Sequence, residues 1–180
     1  MALQKQDGGI RPILCGEVWR RCFASLAVDA TPIRNVAAKL FTSSHDNFIQ
    51  TAGIRDGASH CAKILSVFYD NLVILDPDDP DVIIKIDVSN AFNTTYKAGG
   101  QQGGPLEILI YNLTVHNLWG RVLAKFQEAR AIAYADDGYI KAKLSVALQV
   151  LVELESVFKE GADLEFNVAK TVILPAKGVT

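Results

Sequence analysis

The chain has little of what most compartments and many site chemistries require. Its three cysteines, Cys15, Cys22 and Cys61, form no Cys-x-x-Cys pair and have no nearby set of His ligands. They read as small core hydrophobes of a reducing compartment, which argues against a structural zinc site. No charged-then-apolar leader opens the sequence, so the expectation is an intracellular protein of cytoplasm or nucleus, not a secreted one. Apolar runs fall far short of the ~20 residues that span a bilayer, so no membrane partner is expected. There is no surplus of positive charge either: 18 Lys and Arg stand against 20 Asp and Glu, a net charge of -2. That balance weighs against a broad grip on phosphate backbones. Internal repeats and linkers are also missing. With 49% hydrophobic and 21% charged residues over 180 positions, one domain with a substantial core is expected.

What is present centres on carboxylates. Ala131-Ile132-Ala133-Tyr134-Ala135-Asp136-Asp137-Gly138-Tyr139-Ile140 places two adjacent aspartates and a glycine between apolar runs. Asp-Gly in that setting predicts a hairpin, with Gly138 supplying the positive φ of the turn. Asp136 and Asp137 could then be turn residues and nothing more. Upstream, Val82-Ile83-Ile84-Lys85-Ile86-Asp87-Val88 is too β-branched and apolar to be a surface loop. An aspartate ending such a strand is costly to desolvate unless a cation compensates it, and a divalent cation shared with the hairpin would do so.

Around these segments the chain reads as follows. Ile10 to Leu14, interrupted by Pro12, suggests an edge strand. Helices are predicted from Glu17 to Ala27, with Val18, Cys22, Phe23 and Leu26 apolar, and from Pro32 to Phe41, with Ile33, Val36, Ala37 and Leu40 on one face. Gln50 to Gly57 is a glycine-punctuated loop before a helix from Ala58 to Leu72. The acidic turn Asp76 to Asp81 lacks the Gly and closing Glu of an EF-hand and reads as a solvated connection. A polar, glycine-rich patch from Asn93 to Gly104 precedes a helix from Pro105 to Glu128. Ser145 caps a helix that runs to Lys159, Gly161 stops it, and short strands follow at Leu164–Phe166 and Thr171–Leu174. The order from Val82 onward is compatible with helices packed on one face of a small antiparallel sheet, an α+β domain with the three aspartates on the other face.

Three carboxylates on adjacent strands can hold two Mg²⁺ ions, for which Mn²⁺ can substitute; hard oxygen ligands suit both. Such a pair supports in-line phosphoryl transfer to a hydroxyl with pyrophosphate as leaving group. Arg11 and Lys170 are candidate triphosphate contacts, and solvated surface charges otherwise.

These residues resemble the reverse transcriptase domain of non-LTR (LINE-type) retrotransposons, over most of the chain. Asp87-Val88-Ser89-Asn90-Ala91-Phe92 is similar to that family's motif A and Gln102-Gly103-Gly104-Pro105-Leu106 to motif B. Tyr134-Ala135-Asp136-Asp137 is similar to motif C, and Gly161 through Asn167 to Lys170-Thr171 to motif D. Gly9-Ile10-Arg11-Pro12-Ile13, Gly16 to Arg21, and Gln50 to Ala58 resemble fingers-side segments. The resemblance implies a polymerase palm-like (ferredoxin-like) antiparallel sheet, with about 1–80 as partial fingers and palm helices and about 81–180 as palm core. It implies metal ligation by Asp87, Asp136 and the Val88 carbonyl, with Asp137 in support. Phe92 would exclude a ribose 2′-hydroxyl, Gln102 and Gly103 would line the nucleotide pocket, and Arg11 would meet the triphosphate. Lys170 would protonate the leaving group and Tyr134 would pack near the primer end. RNA template, DNA primer and dNTPs are the implied partners.

The sequence departs from the family at one interval in particular. Only nine residues lie between Phe92 and Gln102, where the family has several tens, and no thumb-like segment follows. The expectation is therefore an internally deleted, truncated RNA-directed DNA polymerase domain. The alternative is a catalytically inactive retroelement remnant acting at most as a binding domain. A nucleotidyl cyclase on a similar sheet is disfavoured by Phe92, since cyclases use ribonucleotides.

Overall fold

A computed structural model describes residues 2–4, 10–12, 18–43, 45–52, 54–89 and 105–176. Its strands and helices, in chain order, begin with β1 (Ala2–Gln4), β2 (Ile10–Pro12), α1 (Val18–Asp29) and α2 (Thr31–Ser43). They continue with β3 (Phe48–Gln50), α3 (Gly57–Asp70), β4 (Asp81–Ser89) and α4 (Pro105–Leu123). The last third holds β5 (Arg130–Tyr134), β6 (Asp137–Lys143), α5 (Leu144–Ala162), β7 (Glu165–Phe166), a 3-10 turn (Val168–Lys170) and β8 (Val172–Pro175). This is an α+β fold.

β1 and β2 form a separate antiparallel pair. The other six strands make one sheet in the order β3-β5-β6-β4, with β7 and β8 sharing the outer edge of β4. β4 pairs antiparallel with β6 along its length, with β8 over Val82 to Lys85 and with β7 at Val88 and Ser89. α4 carries the chain from β4 to β5 and α5 carries it from β6 to β7, each connection stepping over one strand.

Alternation along β4 sends Val82, Ile84, Ile86 and Val88 into the core, where they meet Tyr111, Val115 and Trp119 of α4 and Val150, Leu154 and Phe158 of α5. The aromatic residues interlock. Trp119 stacks on Phe48 with ring centroids 5.1 Å apart and meets Phe158 edge-on at 6.0 Å.

Several sequence expectations are corrected. The sheet is mixed and not antiparallel, because Phe48–Gln50 pairs parallel with β5; a three-residue strand leaves no periodicity to read. Helices do not lie on one face alone. α3 packs beside β5 on the face where Ile132 is buried, and its Cys61 thiol is pushed up by burial and by the Asp137 carboxylate, with a Thr51 hydrogen bond opposing. α4 ends five residues before Glu128 in a turn closed by the Lys125 and Phe126 amides. α5 is not capped by Ser145. The Asp79 carboxylate accepts from the Ser145 N–H and hydroxyl, both at 2.8 Å, so the acidic connection anchors a helix N-terminus. Gly161 lies inside α5, where a Cβ would come within 2.7 Å of Leu118 Cδ2. The left-handed residue that ends the helix is Asp163, φ 55°. The apolar stripe of α1 is not core either: Phe23 and Leu26 are 66% and 67% exposed, and Cys22, expected in the core, is exposed as well.

Candidate functional site

The site begins with register. In the β4–β6 ladder Asp87 lies directly opposite Asp137, and in the β5–β6 hairpin Tyr134 closes on Asp137. The two turn residues are therefore Ala135 and Asp136, and the positive φ belongs to Ala135 at 54°. The expected Asp-Gly turn is displaced by two residues. Gly138 is instead a strand residue facing the core, where a Cβ would sit 2.6 Å from Trp119 Cζ2 and 2.9 Å from Ile86 Cγ1. The glycine answers a packing demand, while the turn accepts the strain of a left-handed alanine.

Two backbone hydrogen bonds tie this end of the sheet together. The Val88 N–H donates to the Asp136 carbonyl at 3.2 Å, fixing the hairpin tip to the end of β4. The Asn167 N–H donates to the Asp87 carbonyl at 2.8 Å, which brings in the 3-10 turn. Lys170 of that turn places its Nζ 3.4 Å from Asp87 Oδ2. The structure thus gathers Asp87, Val88, Asp136, Asp137 and Lys170 at one sheet end.

The carboxylates are not equivalent. Asp87 faces Lys170, and Asp137 faces Lys85, whose Nζ is 3.1 Å from Asp137 Oδ1. Among the described residues Asp136 forms no ion pair. Burial holds its carboxyl above the usual range and Asp137 and Asp87 push it further, while a hydrogen bond from its own backbone N–H and the charge of Lys170 oppose them. From the core side, the buried Tyr111 has its phenol raised by burial and by the charges of Asp136 and Asp87. Lys85 is raised by its hydrogen bond to Asp137.

Lys85 and Tyr111 were missed by sequence reasoning. A signal for Lys85 existed: it precedes Asp87 by two residues, so strand alternation puts both on one face. No pattern in α4 distinguishes Tyr111 from an ordinary core aromatic.

Tyr134 is partly exposed beside the turn and, with Ala135, Ile108, Leu109, Ile33 and Ala37, lines a cavity of about 320 Å³. Arg11 sits on β2 opposite Leu3, in a strand that among the described residues pairs only with β1. Its side chain, and the whole of Phe92, Gln102 and Gly103, lie outside the described residues.

Carboxylate oxygens are the donors that Mg²⁺ and Mn²⁺ take, and the half-buried Asp136, in no ion pair among the described residues, is the group a cation would relieve. Among the described residues, however, no three His, Cys, Asp or Glu side chains converge as a ready metal cage. No protein-family model matches the chain, and no curated protein matches it. Among the described residues no helix is long and apolar enough to cross a membrane.

Proposed function

We propose that this chain is an RNA-directed DNA polymerase domain of the non-LTR retrotransposon type, built for metal-dependent transfer of dNTPs to a primer 3′-hydroxyl. The single observation that carries the reading is the juxtaposition of Asp87, at the end of β4, with the Asp136-Asp137 hairpin tip, with Lys170 held at Asp87. The strand order β8-β4-β6-β5, joined by α4 and α5 in two interlocked strand–helix–strand units, supports a palm-like, ferredoxin-like sheet.

In this reading Asp87, Asp136 and the Val88 carbonyl hold Mg²⁺, or Mn²⁺ in its place, with Asp137 beside them. When bound, the metal supplies activation of the hydroxyl and neutralisation of charge on the phosphates. Lys170, freed from Asp87, is placed to give a proton to the pyrophosphate oxygen. Tyr134 packs against the primer end next to the turn. Phe92 excludes the 2′-hydroxyl, Gln102 and Gly103 line the nucleotide site, and Arg11 contacts the triphosphate. An RNA template and a DNA primer complete the assembly.

A second reading is a catalytically inactive remnant. It is favoured by one observation: Asp87 and Asp137 each turn to a lysine, and among the described residues no three carboxylates converge. Primer extension on an RNA template with dNTPs and Mn²⁺ separates the two. The first reading expects extension that falls at least about 10³-fold in Asp136→Asn. A folded wild-type chain that extends nothing at high protein concentration establishes the second.

A further inference from the structure

The three aspartates at the sheet end are divided unequally between two lysines. Lys85 and Asp87 share a face of β4, Tyr139 of β6 is opposite Lys85, and Asp137 is opposite Asp87. Lys85 therefore reaches diagonally across the ladder to Asp137, at 3.1 Å. Lys170 approaches Asp87 from a different element, the 3-10 turn, at 3.4 Å and is more exposed than its partner. Asp136 pairs with neither among the described residues.

We infer that Lys85 is a positioning residue of the carboxylate site: by holding Asp137 in an internal ion pair, it withdraws that carboxylate from the metal and leaves Asp87 and Asp136 to ligate. The inference rests on the metal-dependent reading proposed above and refines it. The argument is one of charge and reach. Asp87 and Asp137 stand opposite each other, an arrangement that is unfavourable for like charges. Lys85 relieves it from the strand itself at 3.1 Å, whereas the Lys170 side chain, more exposed and farther from its partner at 3.4 Å, is the one for a metal to displace. With Lys85 in place, Asp137 contributes neither a free ligand nor a net charge. Without Lys85, the site gains both.

The test titrates Mn²⁺ alone into the full chain by calorimetry, for wild type, Lys85→Met, Lys85→Arg, Asp136→Asn and the double variant Lys85→Met/Asp137→Asn. The double variant matches the wild-type pair in net charge. Lys85→Met is expected to bind Mn²⁺ about fivefold more tightly, the scale set by a half-exposed ion pair. Lys85→Arg stays at the wild-type affinity, and the double variant returns to within about twofold of it. A double variant about tenfold weaker than wild type would show Asp137 to be a ligand and overturn the inference. So would wild-type affinity in Lys85→Met. Binding that is lost in Asp136→Asn but indifferent to Lys85 removes the inference and keeps the metal reading. No Mn²⁺ uptake by any of these proteins removes both.

Discussion

On one face of β4, Val82, Ile84, Ile86 and Val88 disappear beneath α4 and α5. On the other, Lys85 and Asp87 stand with Asp137 among partly solvated charges. The two faces share every backbone hydrogen bond of the strand, yet they use opposite physics. The first gains from removing apolar area from water. The second keeps like charges close together and relieves them with lysines. Apolar burial and charge are thus largely separated on a single strand, Ile83 being the buried residue on the charged side, and substitutions at Ile86 and at the carboxylate end should behave as different classes.

The largest effect is expected from the core face. Ile86→Ala removes a fully buried side chain that packs beside Trp119 and Gly138, and should cost about 2–5 kcal/mol in urea unfolding. A loss below ~1 kcal/mol would mean this face is not the stabilising one.

Next in size is an acid effect from the buried ring cluster. His116 is buried with Phe41, Phe48 and His45 around it. Burial, with His45 adding to it, depresses its pKa to about 4 from the ordinary 6.5. Because the unfolded chain takes up the proton first, stability is intact above pH 6.5 and falls as pH drops toward 4. The loss approaches about 3 kcal/mol at the bottom of that window. His116→Phe should flatten this part of the stability–pH curve, and an unchanged slope would contradict the assignment.

A smaller gain is expected one helical turn away. Asn112 is fully buried and neither side-chain polar atom has a hydrogen-bond partner among the described residues. Asn112→Leu, the same branched shape with bulkier methyl groups in place of the two polar atoms, should raise stability by up to about 1 kcal/mol in the same assay.

The smallest effect belongs to the charged face. Asp136→Asn removes a carboxylate whose charged form the fold disfavours. Metal-free stability at pH 7 should be unchanged or higher, within about 1 kcal/mol. Since the folded pKa is raised, the wild type loses stability as pH rises from the ordinary carboxylate range through that raised value, and the variant does not. A marked destabilisation of Asp136→Asn at neutral pH would make this face structural after all.

The same contrast explains what the sequence made legible. The apolar run of β4 and the long amphipathic patterns of α4 and α5 carry their own periodicity, so their places were readable. The carboxylates were readable because a charge at the end of such a run is conspicuous. Strand β3 was not, being three residues long and supported only by its neighbour β5. Gly138 and Gly161 look locally like turn and stop signals, but each lies inside an element; at Gly138 the glycine answers the close approach of Trp119 and Ile86, while at Gly161 only the tip of Leu118 comes near. Asp79 caps a helix 66 residues away from it in sequence, which no local window can express. The partition of the aspartates between Lys85 and Lys170 depends on strand register, which pattern alone leaves open.

The most direct measurement is calorimetric titration of Mn²⁺ into the wild-type chain and Asp136→Asn, each with and without a dNTP. The proposed site predicts binding that tightens when the dNTP is present and vanishes in the variant. A folded wild-type protein that takes up no metal in the presence of a dNTP would contradict it.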